Sequence, residues 1–193
     1  FLHKQLVCAP YLSEFVPNSE VFPLAIDLDD YEYSPMSAPS DEIKIMHAPT
    51  HRGNKGTKFI IEAIERLKNE GIKIQFTLIE NIPHSELKKK YEECDIFIDQ
   101  VLGGWYGTAS IEAMAIGRPT VCFLRESYFE YIDYADSIPI INADPDTLYD
   151  VLKKIIYNKQ DLPNLGEKSR KFVETIHSLD KCIDKLVEIY EKL

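Results

Sequence analysis

The sequence predicts an α/β fold built on a doubly wound, parallel sheet. Three observations predict it. After residue 42, short apolar runs alternate with segments of helical periodicity, as βαβ units require. Two loops, 49–56 and 103–108, leave strand candidates and enter helices carrying glycines and polar groups. Ligands of such sheets bind at the carboxyl ends of the strands, so both loops are expected on one edge. The third observation is bulk composition: 193 residues, 45% hydrophobic and 28% charged, suit one globular domain or one domain with an attached piece.

Each element has a local reason. Ile43–His47 is a short apolar strand candidate, followed by a polar loop holding Pro49, Gly53 and Gly56. Thr57–Asn69 repeats apolar residues at Phe59, Ile60, Ala63, Ile64 and Leu67, the period of an amphipathic helix, and Gly71 closes it. Residues 73–80 read as a strand, 85–93 as a helix starting at Ser85, and 95–101 as a strand. Thr108–Ile116 is a helix of small and apolar residues, stopped by Gly117-Arg118-Pro119. Residues 120–124 form a strand, 128–134 a short helix or turn, and 138–141 a strand. Asp144 before Pro145 pairs a cap with a first-position proline and predicts a helix to about residue 158. Two further helices follow at 164–176 and 179–193. Residues 1–42 hold Pro10, Pro17, Pro23, Pro35 and Pro39 and read as a connector with short strands at 6–8 and 21–24.

Charge and cysteine usage exclude several functions. A net charge of −10 makes nucleic acid and anionic lipid poor electrostatic partners, and Lys88-Lys89-Lys90 reads as a solvated helix face. Cys8, Cys94, Cys122 and Cys182 lack metal-knuckle or redox-pair spacing. Cys94 and Cys122, in or beside apolar runs, read as buried free thiols, which suits a reducing, cytoplasmic compartment. No apolar run is long enough to span a bilayer. No His, Cys, Asp and Glu grouping has metal spacing, so no metal is expected. The chain opens Phe1-Leu2-His3-Lys4, without an initiator Met or a signal-peptide pattern, and reads as a piece of something longer.

The densest chemistry lies in the block from Gly103 to Pro119. Its glycines let a ligand approach the backbone, its helix start offers N–H groups to an anion, and Glu112 can accept hydrogen bonds from paired hydroxyls such as those of a ribose. A nucleoside diphosphate ligand needs all three. The loop from His47 to Thr57 places His51, Arg52 and Lys55 around Gly53 and Gly56, cations suited to a pyrophosphate. Its spacing is neither the P-loop nor Gly-x-Gly-x-x-Gly. His47, ending a strand, reads as a satisfied core histidine; His84 and His177 read as structural or exposed. No serine sits in a nucleophile elbow. Asp27-Leu28-Asp29-Asp30 resembles the Asp-x-Asp strand of haloacid-dehalogenase-type phosphatases, although Tyr31 stands where that family has threonine.

These residues resemble the GT-B fold glycosyltransferases, in particular the large retaining family of group 1 (family 4-like) enzymes. Three segments carry the resemblance. Pro23 to Tyr31 is similar to the family's interdomain Pro-Asn-Gly-Ile-Asp segment, the loop from His51 to Gly56 to its Arg/Lys phosphate loop, and Gly107 to Pro119 to its Glu-Ala-Met-Ala-x-Gly-x-Pro block. The resemblance implies a Rossmann-like domain, one half of a GT-B fold, that binds a UDP- or GDP-sugar and needs no further cofactor. It implies that Lys55 and Arg52 hold the diphosphate, that Glu112 takes the ribose hydroxyls, and that Thr108 and Ala109 offer backbone N–H groups. His51, Gly53, Gly104 and Gly107 would complete the donor site. Residues 1–42 would be the connector and the tail of an N-terminal acceptor domain, and 43–193 the donor domain, its last helices packing back towards the missing half. The acceptor would be a glycan or lipid-linked molecule reached through that other domain, in polysaccharide, glycolipid or glycoprotein synthesis on the cytoplasmic side. Peripheral membrane association of the full-length protein fits such an acceptor. The isolated fragment would not transfer sugar.

One departure stands out. The family has a sugar-contacting glutamate eight residues before Glu112, and this chain has Gly104 there. Asp99 and Gln100 are the candidates to fill that role. Two rival readings stay open: a sugar-nucleotide-binding module without transfer activity, and a phosphatase using Asp27 and Asp29. Trp105, Tyr106, Phe123 and Tyr128 could line a base or sugar pocket or belong to the core.

Overall fold

A computed structural model describes residues 4–193. Strands β1 (Leu6–Val7) and β2 (Glu20–Val21) pair in parallel as a small separate sheet, with a 3-10 turn at Pro10–Glu14 between them. The main sheet holds β3 (Ile43–His47), β4 (Ile74–Leu78), β5 (Ile96–Ile98), β6 (Thr120–Cys122) and β7 (Ile141–Asn142). Its order is β4-β3-β5-β6-β7 and every pairing is parallel.

The helices are α1 (Arg52–Lys55), α2 (Thr57–Asn69), α3 (His84–Lys90), α4 (Thr108–Ile116), α5 (Leu148–Tyr157), α6 (Leu162–Phe172) and α7 (Leu179–Glu191). They cover both faces of the sheet. On one face Ile43, Ile45, Ile96 and Ile98 pack against Ile60, Ile64 and Leu67 of α2 and Leu148 and Leu152 of α5. On the other, Met46 and Phe97 pack with Ile111 and Met114 of α4 and Phe172 of α6. The strand period of two sends alternate residues to the two cores, each fully buried side chain contributing about 1.5–3 kcal/mol. Doubly wound packing is what the βα alternation predicted.

The strand order reverses between β3 and β5. The chain leaves β3 for β4 on one side, then returns to β5 on the other. The crevice beyond their carboxyl ends is the topological switch point, where ligands of open α/β sheets bind. Both loops singled out in the sequence open there.

Several predicted boundaries are corrected. The strand expected at 138–141 is only Ile141–Asn142. The helix expected from Asp144 starts at Leu148, because the Asp144 carboxylate accepts from the N–H groups of Asp146 (3.1 Å) and Thr147 (2.9 Å) and closes a separate turn first. The helix expected at 85–93 is α3 plus a 3-10 turn at Tyr91–Glu93. That expected at 164–176 ends at Phe172 in a π-helical turn, Val173–His177.

Residues 4–42 lie against the rest of the fold. Ile26 N–H donates to His177 O (2.8 Å) and Leu179 N–H to Ile26 O (2.9 Å). Ser34 N–H donates to Ile116 O (3.1 Å), and Arg170 ties Tyr31 O to Ala115 O, both at 2.8 Å. Among the described residues no helix is long and apolar enough to cross a membrane.

Candidate functional site

The first loop is shaped by its own residues. His51 accepts from Asn54 N–H through Nδ1 (3.3 Å) and caps the single turn of α1. Gly56 then turns into α2 at φ 75°, and a Cβ there would lie 2.5 Å from the Val101 side chain. Only glycine fits so close an approach. Val101 N–H donates to Lys55 O (3.1 Å), which joins the two loops through their backbones.

Asp99, at the carboxyl end of β5, is the hub. It is 2% exposed. Its Oδ1 takes the Lys55 ammonium at 2.5 Å, and its Oδ2 accepts from Ser110 Oγ (2.6 Å) and Gly107 N–H (3.3 Å). Lys55 is thereby fixed beside the start of α4. That helix begins at Gly107 without a side-chain cap. Among the described residues the N–H groups of Thr108 and Ala109 find no partner, so the positive end of the helix dipole is open beside Lys55.

Arg52 goes elsewhere. Its guanidinium forms a two-pronged ion pair with Glu80, just beyond β4, with Nε on Oε1 at 2.8 Å. Arg52 holds the Glu80 carboxyl below the usual carboxylate range.

Glu112 is buried, at 4% exposure, one turn into α4. Its Oε1 accepts from the Tyr31 hydroxyl (2.8 Å) and from His84 Nε2 (2.6 Å), and its Oε2 from the Tyr91 hydroxyl (3.1 Å). Burial, reinforced by the Glu112 charge, pushes both phenols well above their ordinary pKa, so both remain donors. These partners come from the connector and from the two ends of the α3 segment, 81, 28 and 21 residues away in sequence.

Gly104 adopts φ 78°, and its carbonyl accepts from Arg125 N–H at 2.9 Å. A Cβ there would sit 3.3 Å from Arg125 Cβ. A glutamate at this position would be strained in backbone and crowded in space. Neither nominated substitute is free. Both Asp99 oxygens are engaged, and the Gln100 amide donates to Trp105 O. Trp105, Tyr106 and Tyr128 are buried in the core, with Trp105 stacked on Tyr106 at 4.9 Å.

The histidines divide. His47 is fully buried, donating through Nδ1 to Ile98 O (2.8 Å) and accepting at Nε2 from Thr57 Oγ1 (2.8 Å). His177 donates to Leu24 O (2.8 Å) and accepts from Tyr106 (3.0 Å), and burial pushes its pKa down to about 4. His84 is at the site, which the sequence did not reveal. Asp27 caps a 3-10 turn, accepting from Asp29 N–H at 3.0 Å, so the Asp-x-Asp segment is not the end of a central strand. Among the described residues no three His, Cys, Asp or Glu side chains could hold a metal ion.

A profile of the family described as glycosyl transferases group 1 matches residues 62–172, more than half of the chain. The chain belongs to the group 1 glycosyl transferases. No curated protein matches it significantly. Solved structures share its fold. Sucrose-phosphate synthase from Thermosynechococcus elongatus aligns with TM-score 0.69 and 17% identity over 97% of this chain and 57% of its own. HepE from Anabaena, solved in complex with UDP-glucose, aligns with TM-score 0.67 and 13% identity over 100% of this chain and 65% of its own. The C-terminal domain of a group 1 family protein, LpcC, from Francisella tularensis aligns with TM-score 0.56 and 16% identity over 80% of this chain and 100% of that domain. The chain thus spans 57% and 65% of the first two.

Proposed function

We propose that this chain is the donor half of a retaining glycosyltransferase, binding a nucleoside diphosphate sugar for hexosyl transfer to a glycan or lipid-linked acceptor. One observation carries the reading: Lys55, fixed by Asp99, stands beside the uncapped start of α4 at the topological switch point. A diphosphate placed there meets an ammonium and two free backbone N–H groups. Those groups stabilise the charge that develops on the leaving nucleotide without a metal. Glu112, one turn along, accepts the ribose hydroxyls. His51, Gly53, Gly104 and Gly107 shape the approach. Arg52, paired with Glu80, would have to exchange that carboxylate for the diphosphate.

Residues 43–193 would be the donor domain and 1–42 the connector to an acceptor-binding domain. The match to an isolated C-terminal domain supports this. The whole protein would then work on the cytoplasmic side, with peripheral attachment to the membrane when its acceptor is lipid-linked, and the fragment alone would not transfer sugar. A second reading, donor binding without transfer, is favoured by Gly104, whose left-handed backbone replaces a sugar-contacting side chain.

Calorimetric titration with UDP and GDP tests donor binding. Lys55→Ala and Glu112→Ala should each weaken the nucleotide that binds by about tenfold or more, the worth of a charge-assisted hydrogen bond. Unchanged affinity in both variants overturns the reading. Product anomeric configuration, followed by NMR on the intact enzyme, tests retention, and no turnover with intact donor binding supports the second reading.

A further inference from the structure

Two groups assigned to the donor are already occupied, and both occupants come from one short loop. The Arg52 guanidinium is held by the Glu80 carboxylate, and the Glu112 carboxylate accepts from His84 Nε2 at 2.6 Å. Glu80 and His84 bracket the passage from β4 into α3, which turns at Asn81 in the left-handed region (φ 56°).

The occupants match in chemistry what they would exchange for. A carboxylate on a guanidinium fork presents paired anionic oxygens, as a phosphate does. A carboxylate oxygen only accepts, so His84 Nε2 is the donor to Glu112, the part a ribose hydroxyl would play. Both contacts are open to exchange. The side chains of Arg52 and His84 are each 58% exposed, whereas Tyr31 and Tyr91, the other partners of Glu112, are buried. The loop itself is lightly packed. No residue from Ile79 to Lys90 is buried, and the next, Tyr91, is anchored by its carbonyl accepting from Arg118 Nε at 3.1 Å.

We propose that Glu80 and His84 are built-in stand-ins for the donor, the carboxylate holding the place of a phosphate on Arg52 and the imidazole N–H that of a ribose hydroxyl on Glu112, and that a bound nucleoside diphosphate displaces both. This rests on the donor-site reading above. Each displacement trades one contact for another of the same kind. Net affinity then comes from Lys55 and the open start of α4, to which neither residue is hydrogen-bonded.

Calorimetry with UDP, GDP and the 2′,3′-dideoxy form of the nucleotide that binds tests the assignment. Glu80→Gln should tighten both the ribonucleotide and its dideoxy form, and His84→Ala the ribonucleotide alone. Each gain should be about twofold to fivefold, the worth of an exposed ion pair that no longer competes. Glu86→Gln removes a charge from the same segment without freeing Arg52 and should change neither. Tightening by Glu86→Gln equal to that by Glu80→Gln would reduce the effect to net charge and overturn the proposal. Weaker binding in Glu80→Gln or His84→Ala would make that side chain a ligand contact or a support of the site. Unchanged binding would mean that the donor binds with the internal pair intact. Either result overturns the proposal, as does equal tightening of both forms by His84→Ala, which would mean a general loosening of the loop. Failure of the unaltered protein and of every variant to bind either nucleotide strikes the donor-site reading itself, a result distinct from any of these.

Discussion

Asp99 holds three groups with two oxygens: Lys55 from the first loop, and Ser110 and Gly107 at the start of α4. Its worth lies in placement. With the amide in place of that carboxylate, the half-buried Lys55 ammonium has no counter-charge, and one oxygen must serve where two did. Asp99→Asn should therefore lower stability by about 2–3 kcal/mol, read from the urea midpoint, somewhat below the cost of breaking a fully buried pair because Lys55 keeps some water. A midpoint unchanged in the variant would mean that Lys55 is held by its helix alone. Arg52 shows the opposite arrangement, an exposed pair with Glu80 that contributes little to stability and mainly occupies the guanidinium.

At the scale of elements, the π-helical turn Val173–His177 brings the buried His177 ring under Leu24 and Tyr106. Burial holds the ring neutral, with its pKa moved from 6.5 to about 4. Between those values the unfolded chain binds a proton that the folded chain does not. Stability from this group is full above about pH 6.5 and is lost as pH falls towards 4; between pH 7 and pH 5 the loss is about 2 kcal/mol. His47, also lowered by burial, adds in the same direction. Urea midpoints at the two pH values should show this fall, and His177→Gln should flatten it. A wild-type midpoint that rises on acidification would contradict the assignment. Helix α4 was legible to the residue, because glycines flank it and its small apolar composition admits little else. Helix α5 was not, because the Asp144 side chain serves a turn before the helix rather than the helix itself.

For the whole molecule, the segment before residue 43 is bound into the fold through Ile26, Tyr31 and Ser34. A chain shortened to 43–193 exposes the faces of α4 and α6 that this segment covers and leaves Glu112 without the Tyr31 hydroxyl. It should lose cooperative thermal unfolding and bind a hydrophobic dye, as loosely packed states do. A cooperative transition at the original temperature would show that the segment is dispensable.

The sequence by itself determined the parallel α/β class, the bounds of β3, α2 and α4, and the pairing of two loops on one sheet edge. Period and glycine placement are local properties, read within a dozen residues. Lys55 and Glu112 stood out for the same reason, each a charged group at a helix start or among apolar neighbours. Only the tertiary structure decided what those groups touch. Glu112 meets Tyr31, His84 and Tyr91 across separations of 81, 28 and 21 residues, and Arg52 meets Glu80 across 28. No spacing rule reaches that far, because such contacts are set by strand order and by which helix face crosses which, not by the residues on either side.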